Sequence, residues 1–364
     1  MIGENGGVST IEHSPASLRP IELRSDNAAG VAPEIVAAIA EANTGSAMAY
    51  GGDDWSARLR DRVAEVFEHP EVSVFPVLTG TAANSLALSS ICPPWGAVLC
   101  HETAHIIRNE CGATSLFGGG AVMRGLPGAD FLLERASLEQ AFATTNWGDN
   151  HHSQPSALSL TNPTDYGTVY SVERIAELAA TAKARGMRVH IDGARVANAI
   201  ASLGCTPAEL TWRSGVDLLS LGATKNGAMS TDAIVCFDPA LAEQLSYRVK
   251  RAGQVASKMR FQSVQLDAYL TDGLWLRMAA NANAAMARLA TGLADRGVAM
   301  ATQPQANIAF VHVPDAVADR LEAAGLFFYR IAPGLIRFVT SFQTTLDDVD
   351  EVLHRMGAAL TAAP

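Results

Sequence analysis

The chain has 364 residues, is 48% hydrophobic and carries a formal net charge of -10. That length and apolar share can bury a sizeable core divided between two domains, and the acidic balance argues against a nucleic-acid backbone or an anionic membrane as the main partner. An acidic small molecule stays compatible, because a local Arg or Lys pocket overrides net charge.

The opening stretch MIGENGGVSTIEHSPASLRP has no basic segment leading into an apolar one, so no secretory signal is expected, and the residues up to about Arg19 read as loosely ordered. No apolar run is long enough to span a bilayer. The five cysteines form no C-x-x-C pair and sit in apolar or Gly/Ala-rich surroundings, the pattern of reduced thiols in a cytoplasmic protein.

From about Val72 to Phe237, short apolar runs alternate with amphipathic segments. VSVFPVLT, GAVLC, SALSLTN, RVHIDG, VDLLSLG and DAIVCF are predicted strands; SLEQAFATT and VERIAELAATAKARG are predicted helices. Such alternation predicts an α/β fold with a large, mostly parallel sheet. Beyond it, the Ala-rich LWLRMAANANAAMARLATGLADRG reads as a long helix. NIAFVHVP, a further helix, LIRFVTSF and a closing helix from about Leu346 complete a smaller C-terminal α+β domain. The expected division is 21–265 for the large domain and 266–364 for the small one.

Ligands of open α/β sheets bind beyond the carboxyl ends of the strands, and four features converge there. Thr79-Gly80-Thr81 joins a strand to an apolar-periodic helix, where small residues and the helix dipole admit a phosphate; an ordinary cap with a Gly turn would look the same. Asp192 closes RVHIDG, with Arg195 three residues on. The two could form a local ion pair, or the acid could hold a protonated ring nitrogen. Thr224-Lys225 follows the next strand, flanked by Gly222, Ala223, Asn226, Gly227 and Ala228, which are small enough for a bulky group to lie over them. His105 follows GAVLCHETA. A phosphate cradle, an acid for a ring nitrogen, a lysine able to form a Schiff base and an imidazole are together what pyridoxal 5'-phosphate requires. A rival motif overlaps them. His101-Glu102-Thr103-Ala104-His105 matches H-E-x-x-H, but zinc hydrolysis needs both histidines one turn apart on a helix, and here the motif directly follows a predicted strand. No metal is expected.

LRSDN (23–27), AYGGDDW (49–55), TGTAANSLAL (79–88), ETAH (102–105), DGAR (192–195), TKNG (224–227) and YRVKRAGQVASKMRF (247–261) resemble the low-specificity L-threonine aldolases of the fold-type-I, aspartate-aminotransferase-like pyridoxal-phosphate enzymes. The resemblance runs from about residue 21 into the C-terminal domain. It implies that Lys225 carries the cofactor, that Asp192 keeps the ring nitrogen protonated, and that Arg195 contacts the cofactor's phenolic oxygen or the substrate carboxylate. Gly80, Thr81 and Thr224 would hold the phosphate, with Arg260 and the Lys250-Arg251 pair nearby, the basic residues being supplied from a neighbouring subunit. His105 would stack on the ring, His151 would help it hold a water that takes the β-hydroxyl proton, and Ser25 with Arg337 would clamp the substrate carboxylate.

The implied reaction is retro-aldol cleavage of L-threonine, L-allo-threonine or phenylserine to glycine and an aldehyde by a homodimer or homotetramer. A β-eliminating lyase or an aminotransferase would share Lys225 and Asp192, and a non-catalytic cofactor-binding protein is a further reading. Two departures stand out: Tyr50-Gly51-Gly52-Asp53-Asp54 carries a glycine where family members read Y-G-D-D, which puts the role of Asp53 in doubt, and IIRNE after His105 is particular to this chain.

Overall fold

The computed structural model describes residues 19–362; the expectation for the stretch before Arg19 lies outside them. A seven-stranded sheet organises the larger part. Its strands are β1 (Ser73–Val77), β2 (Gly96–His101), β3 (Val122–Leu126), β4 (Gln154–Thr161), β5 (Arg188–Gly193), β6 (Leu218–Leu221) and β7 (Asp232–Cys236), arranged β1-β7-β6-β5-β4-β2-β3. All pairings are parallel except those of β7, which runs antiparallel to both neighbours. Each of the six predicted strands forms. β3 carries Arg124 and Gly125 among its apolar residues, so nothing marks it as a strand in the sequence. Pro76 is tolerated because β1 lies at the sheet's edge, where a missing N–H costs little.

Successive strand residues face opposite sides, so this sheet feeds two cores. Leu99, Leu219 and Val235 point into one, packed by the helices Val172–Lys183 and Val196–Leu203. Val98, Cys100, Leu218, Ile234 and Cys236 point into the other, covered by the helix Gly80–Ile91 and by Leu245 and Val249 of Pro239–Arg251. Helices on both faces explain why the strands read as continuous apolar runs rather than as alternating ones.

A third core lies under a four-stranded antiparallel sheet in the order Tyr329–Ala332, Leu335–Val339, Ile308–His312, Ala299–Met300. The long helix Leu274–Ala294 joins the two parts: Trp275 and Met278 pack in the large-sheet core, Met286 and Leu289 in the third. The change of core therefore falls midway along this helix, whereas residues 265 and 266 both lie inside the helix Arg260–Leu270, with Leu266 in the large-sheet core. Ile21 and Leu23 also pack in the third core, and Ile21–Glu22 pairs in parallel with Leu326–Phe327. No helix among the described residues is long and apolar enough to cross a membrane, and the five cysteines are all free.

Candidate active site

The carboxyl ends of the parallel strands, with the first residue of β7, enclose a cavity of about 180 Å³. Lys225, Asp192, Arg195, His105, Gly80, Thr81 and Thr224 all line it, joined by Asn84, Glu110, Asp165 and Asp232. Seven of the residues singled out in the sequence thus meet in one place although they come from four separate stretches of chain.

Lys225 sits in a one-turn 3-10 helix, Thr224–Asn226, directly after β6. Asp232 holds the turn by accepting the Ala223 and Thr224 amides at 2.8 and 3.0 Å. Asn226 donates to the Tyr269 hydroxyl and the Trp275 carbonyl at 3.0 and 2.9 Å, and the Tyr269 hydroxyl donates to the Gly222 carbonyl at 3.1 Å. The turn is anchored on three sides, which leaves the lysine side chain as its free element. Burial and then the Arg195 guanidinium hold the Lys225 amine below the ordinary lysine value, the condition under which a lysine becomes a neutral nucleophile.

Asp192 is the penultimate residue of β5 and is almost fully buried. Burial, with the carboxylates of Glu110 and Asp165, pushes it up to about 6, while His105 and Lys225 pull it back. A cation placed against it would remove that penalty. Arg195 does not pair with Asp192. It grips Asp26 with two hydrogen bonds, at 2.6 and 2.9 Å, so of the two readings open for DGAR the local ion pair is absent, and the partner of Arg195 lies 169 residues away. His105 opens the short helix His105–Arg108, and its Nδ1 bonds Glu110 Oε1 at 2.9 Å. That hydrogen bond raises the imidazole above its ordinary value, against burial. Asn84 donates to the same oxygen at 2.8 Å.

The helix Gly80–Ile91 starts at the cavity, with the Thr79 hydroxyl accepting the Ala82 amide. The Gly80 and Thr81 amides have no partner within the helix. A Cβ on Gly80 would meet nothing nearer than Asp232 Oδ2 at 3.8 Å, so glycine leaves open room at this helix end. Such an end suits a phosphate.

Four expected residues stand elsewhere. His151 is exposed and precedes the N-terminal end of the eight-residue β4, whereas the cavity lies at the C-terminal end, about 25 Å of extended strand away. It does not join His105 within one chain. Arg260 turns to the Thr44 carbonyl at 3.1 Å and stacks on Trp55 and Phe261. Ser25 accepts the Asn27 amide and borders a separate depression with Gln343. Arg337 donates to the Arg24 carbonyl at 3.1 Å, and its buried Nε has no partner. Burial and the nearby Arg195 lower its affinity for a proton, so an arriving anion would be held strongly. Asp53 is a helix cap: it accepts the Ser56 amide at 2.8 Å and the Ser56 hydroxyl at 3.0 Å.

The H-E-x-x-H stretch is not helical. His101 ends β2 and bonds the Thr103 hydroxyl and the Gly128 carbonyl, while His105 starts the next helix. The two rings do not share a helix face, and a zinc site built on them is not supported. Sequence reasoning also missed Asp26, Asp165 and Asp232, and it singled out IIRNE without giving its Glu110 a role. Asp26 lies inside the quoted LRSDN, and Asp232 is an acid opening an otherwise apolar strand; both were visible signals.

The site's residues fit a planar anionic group bearing an aldehyde: amides at a helix end for the phosphate, a buried acid lacking a cation, and a lysine held toward its neutral form. The beta-eliminating lyase family model matches residues 22–316. The chain belongs to that family. It is 40% identical over 343 residues to a low-specificity L-threonine aldolase of a Pseudomonas species (strain NCIMB 10558), covering 94% of this chain and 98% of that one. A threonine aldolase structure from Leishmania major superposes with a TM-score of 0.88 at 26% identity, covering 94% of this chain and 100% of that one. Aspartate aminotransferase from Thermotoga maritima, at 16% identity, superposes with a TM-score of 0.70 over 94% of this chain and 92% of that one. The fold is therefore the aspartate-aminotransferase-like fold type I, as expected from the sequence.

Proposed function

We propose that this member of the family is a pyridoxal-5'-phosphate-dependent aldehyde-lyase. It cleaves L-threonine, L-allo-threonine and related L-β-hydroxy-α-amino acids, phenylserine included, to glycine and an aldehyde. The observation that carries the reading is the meeting of Lys225, Asp192 and the Gly80–Thr81 helix end in one cavity, with 40% identity to a low-specificity L-threonine aldolase over nearly the whole chain in support.

Lys225, Asp192, Gly80, Thr81 and Thr224 would hold the cofactor. Bound there, pyridoxal phosphate supplies an electron sink for the pair released when a bond at the substrate's Cα breaks. The chain's own residues set the conditions. The lowered proton affinity of Lys225 keeps its Nζ available as a nucleophile. Asp192 is placed to hold a proton on a ring nitrogen. His105, its Nδ1 fixed by Glu110, lines the cavity and would stack on the ring. Arg337, with its unpartnered Nε, receives the substrate carboxylate together with Ser25, and Arg195 stays tied to Asp26 beside them. Arg260 and His151, both away from their own chain's cavity, act on a neighbouring subunit's site in a homodimer or homotetramer. The enzyme is cytoplasmic in this reading, with a large domain and a small one that meet within the helix Leu274–Ala294.

The test is the absorption spectrum of purified protein with added pyridoxal phosphate, for wild type and Lys225→Ala, before and after L-threonine, with acetaldehyde assayed. A band that requires Lys225, with acetaldehyde released, supports the proposal. A Lys225-dependent band with keto acid and no aldehyde from threonine or phenylserine transfers the assignment to β-elimination or transamination, the first of which the family description favours. No band refutes the cofactor.

A further inference from the structure

A carboxylate with no role in the reading above faces the same cavity. Asp165 lies in the loop leaving the C-terminal end of β4 and lines the cavity with Lys225, Asp192, His105 and Arg195. The loop around it is firmly tied. The Thr164 and Thr168 hydroxyls lie 2.7 Å apart, and the Thr168 hydroxyl also donates to the Asp130 carbonyl at 2.8 Å. The Gln305 amide donates to the Gly167 carbonyl at 2.8 Å. The Tyr166 ring stacks between Phe131 and Phe310, with centroids 3.7 and 4.8 Å away.

Asp165 is thus held by its neighbours rather than by a partner of its own. Its Oδ2 is buried with no hydrogen-bond partner among the described residues. A buried carboxylate oxygen without a donor is costly, and a rigid loop that maintains one points to a donor arriving with a ligand. The groups that feel its charge are Lys225, Asp192, His105 and Arg195, which line the cavity with it, and Arg337, which does not. A β-hydroxy-α-amino acid brings three polar groups. Its carboxylate is repelled by Asp165 and attracted by Arg337, and its amino group belongs where Lys225 reaches. The β-hydroxyl is the donor that remains.

We propose that Asp165 accepts the hydrogen bond of the substrate β-hydroxyl and takes its proton as the Cα–Cβ bond opens, an inference that rests on the aldol-cleavage reading above. The O–H bond breaks with its proton on Oδ2, and its electron pair becomes the second bond of the aldehyde carbonyl. The Cα–Cβ pair stays on Cα, to which a proton returns to give glycine. Asp165 is then both a catalytic residue and the reason a hydroxyl is required at Cβ.

The test compares wild type with the near-isosteric Asp165→Asn, both loaded with pyridoxal phosphate. Three quantities are read: aldehyde release from L-threonine, exchange of the glycine α-proton in heavy water by NMR, and the dissociation constant of pyridoxal phosphate by absorbance titration. Glycine exchange needs the cofactor and the carboxylate clamp but no hydroxyl acceptor. The expected result is a fall in kcat for aldehyde release of about a hundredfold or more, with exchange and cofactor affinity within about threefold of wild type. Aldehyde release within about threefold of wild type overturns the proposal, and so does a parallel loss of release and exchange. A wild-type protein that binds the cofactor yet releases no aldehyde overturns the aldolase reading itself, an outcome the wild-type arm alone reveals.

Discussion

Arg195 and Asp26 are joined by a buried, two-pronged ion pair, Nε donating to Oδ2 at 2.6 Å and Nη2 to Oδ1 at 2.9 Å. Asn307 adds a third donor to Asp26 Oδ2 at 3.1 Å. The pair ties the end of β5 to the N-terminal segment, whose Ile21 and Leu23 are packed in the third core. It therefore fastens the two parts of the molecule together beside the cavity. Removing one partner of a buried pair leaves an uncompensated charge, so Asp26→Ala is expected to cost about 3–5 kcal/mol, read from denaturant unfolding. The pH dependence follows from the carboxyl: burial works to raise it, but Arg195 holds it below the ordinary aspartate value. The stability it contributes is complete above the unfolded-state value and is lost as pH falls through the lower, folded one. Wild type is expected to show that acid-side loss, and Asp26→Asn to lack it.

Glu110→Gln tests the group that governs His105. The variant keeps an oxygen for the Asn84 amide but loses the charge behind the 2.9 Å contact with His105 Nδ1. The His105 titration, followed by NMR of the ring proton, is expected to move to lower pH because burial then acts unopposed by its main counterweight. In wild type this pair stabilises the fold below the unfolded histidine value, and the contribution disappears as pH rises through the raised folded value. The loss in the variant is expected to be about 1 kcal/mol at acidic pH, and a titration that stays where it was would show that Glu110 does not set the His105 charge.

Asp192 carries the sign opposite to that of Asp26. Its carboxyl is pushed up to about 6, so between the unfolded value near ~3.9 and that figure the folded chain binds the extra proton. Without pyridoxal phosphate, the thermal midpoint is expected to fall as pH rises from about 4 through 6 on this contribution, and Asp192→Asn is expected to flatten that slope. A cation held against the carboxylate stabilises its charged form, so saturating cofactor is expected to reduce the slope in wild type and leave the variant unaffected. An identical slope with and without cofactor would separate Asp192 from the ring nitrogen.

What the sequence made legible follows from where the signals are local. The six strands with dense apolar runs were readable because helices cover both faces of the sheet, and the residues that end or directly follow them were readable because parallel sheets put chemistry there. β3 was not, because an Arg and a Gly interrupt its five residues. The partners of the site residues are distant or irregular. Asp26 meets Arg195 across 169 positions, and Asp165 belongs to a loop whose orientation depends on an aromatic stack with Phe310 of the small sheet. Such pairings depend on the tertiary arrangement, which no short motif encodes.

Two glycines separate the scaffold of the site from its ligand surface. At Gly222 a Cβ would lie 2.1 Å from the Ala194 carbonyl oxygen and 2.5 Å from its carbon. Both are backbone atoms that cannot swing aside, and the Gly222 amide is already bonded to the Gly193 carbonyl at 3.0 Å. Gly222→Ala must force the ends of β5 and β6 apart, shifting the Lys225 turn relative to Asp192. The expected cost is about 1–3 kcal/mol or more, seen as a lowered thermal midpoint together with lost cofactor binding. At Gly80 the nearest atom to an added Cβ is Asp232 Oδ2, at 3.8 Å, so a methyl fits sterically but stands at the helix end where the phosphate is expected. Gly80→Ala is therefore expected to melt within about a degree or two of wild type, since a ΔΔG well below 1 kcal/mol moves the midpoint of a chain this size by little. Its dissociation constant for pyridoxal phosphate is expected to rise at least about tenfold, because a tenfold change requires only ~1.4 kcal/mol of lost contact. If Gly80→Ala bound the cofactor as tightly as wild type, the phosphate would have to sit away from this helix end, on Thr224 and the Lys225 turn instead.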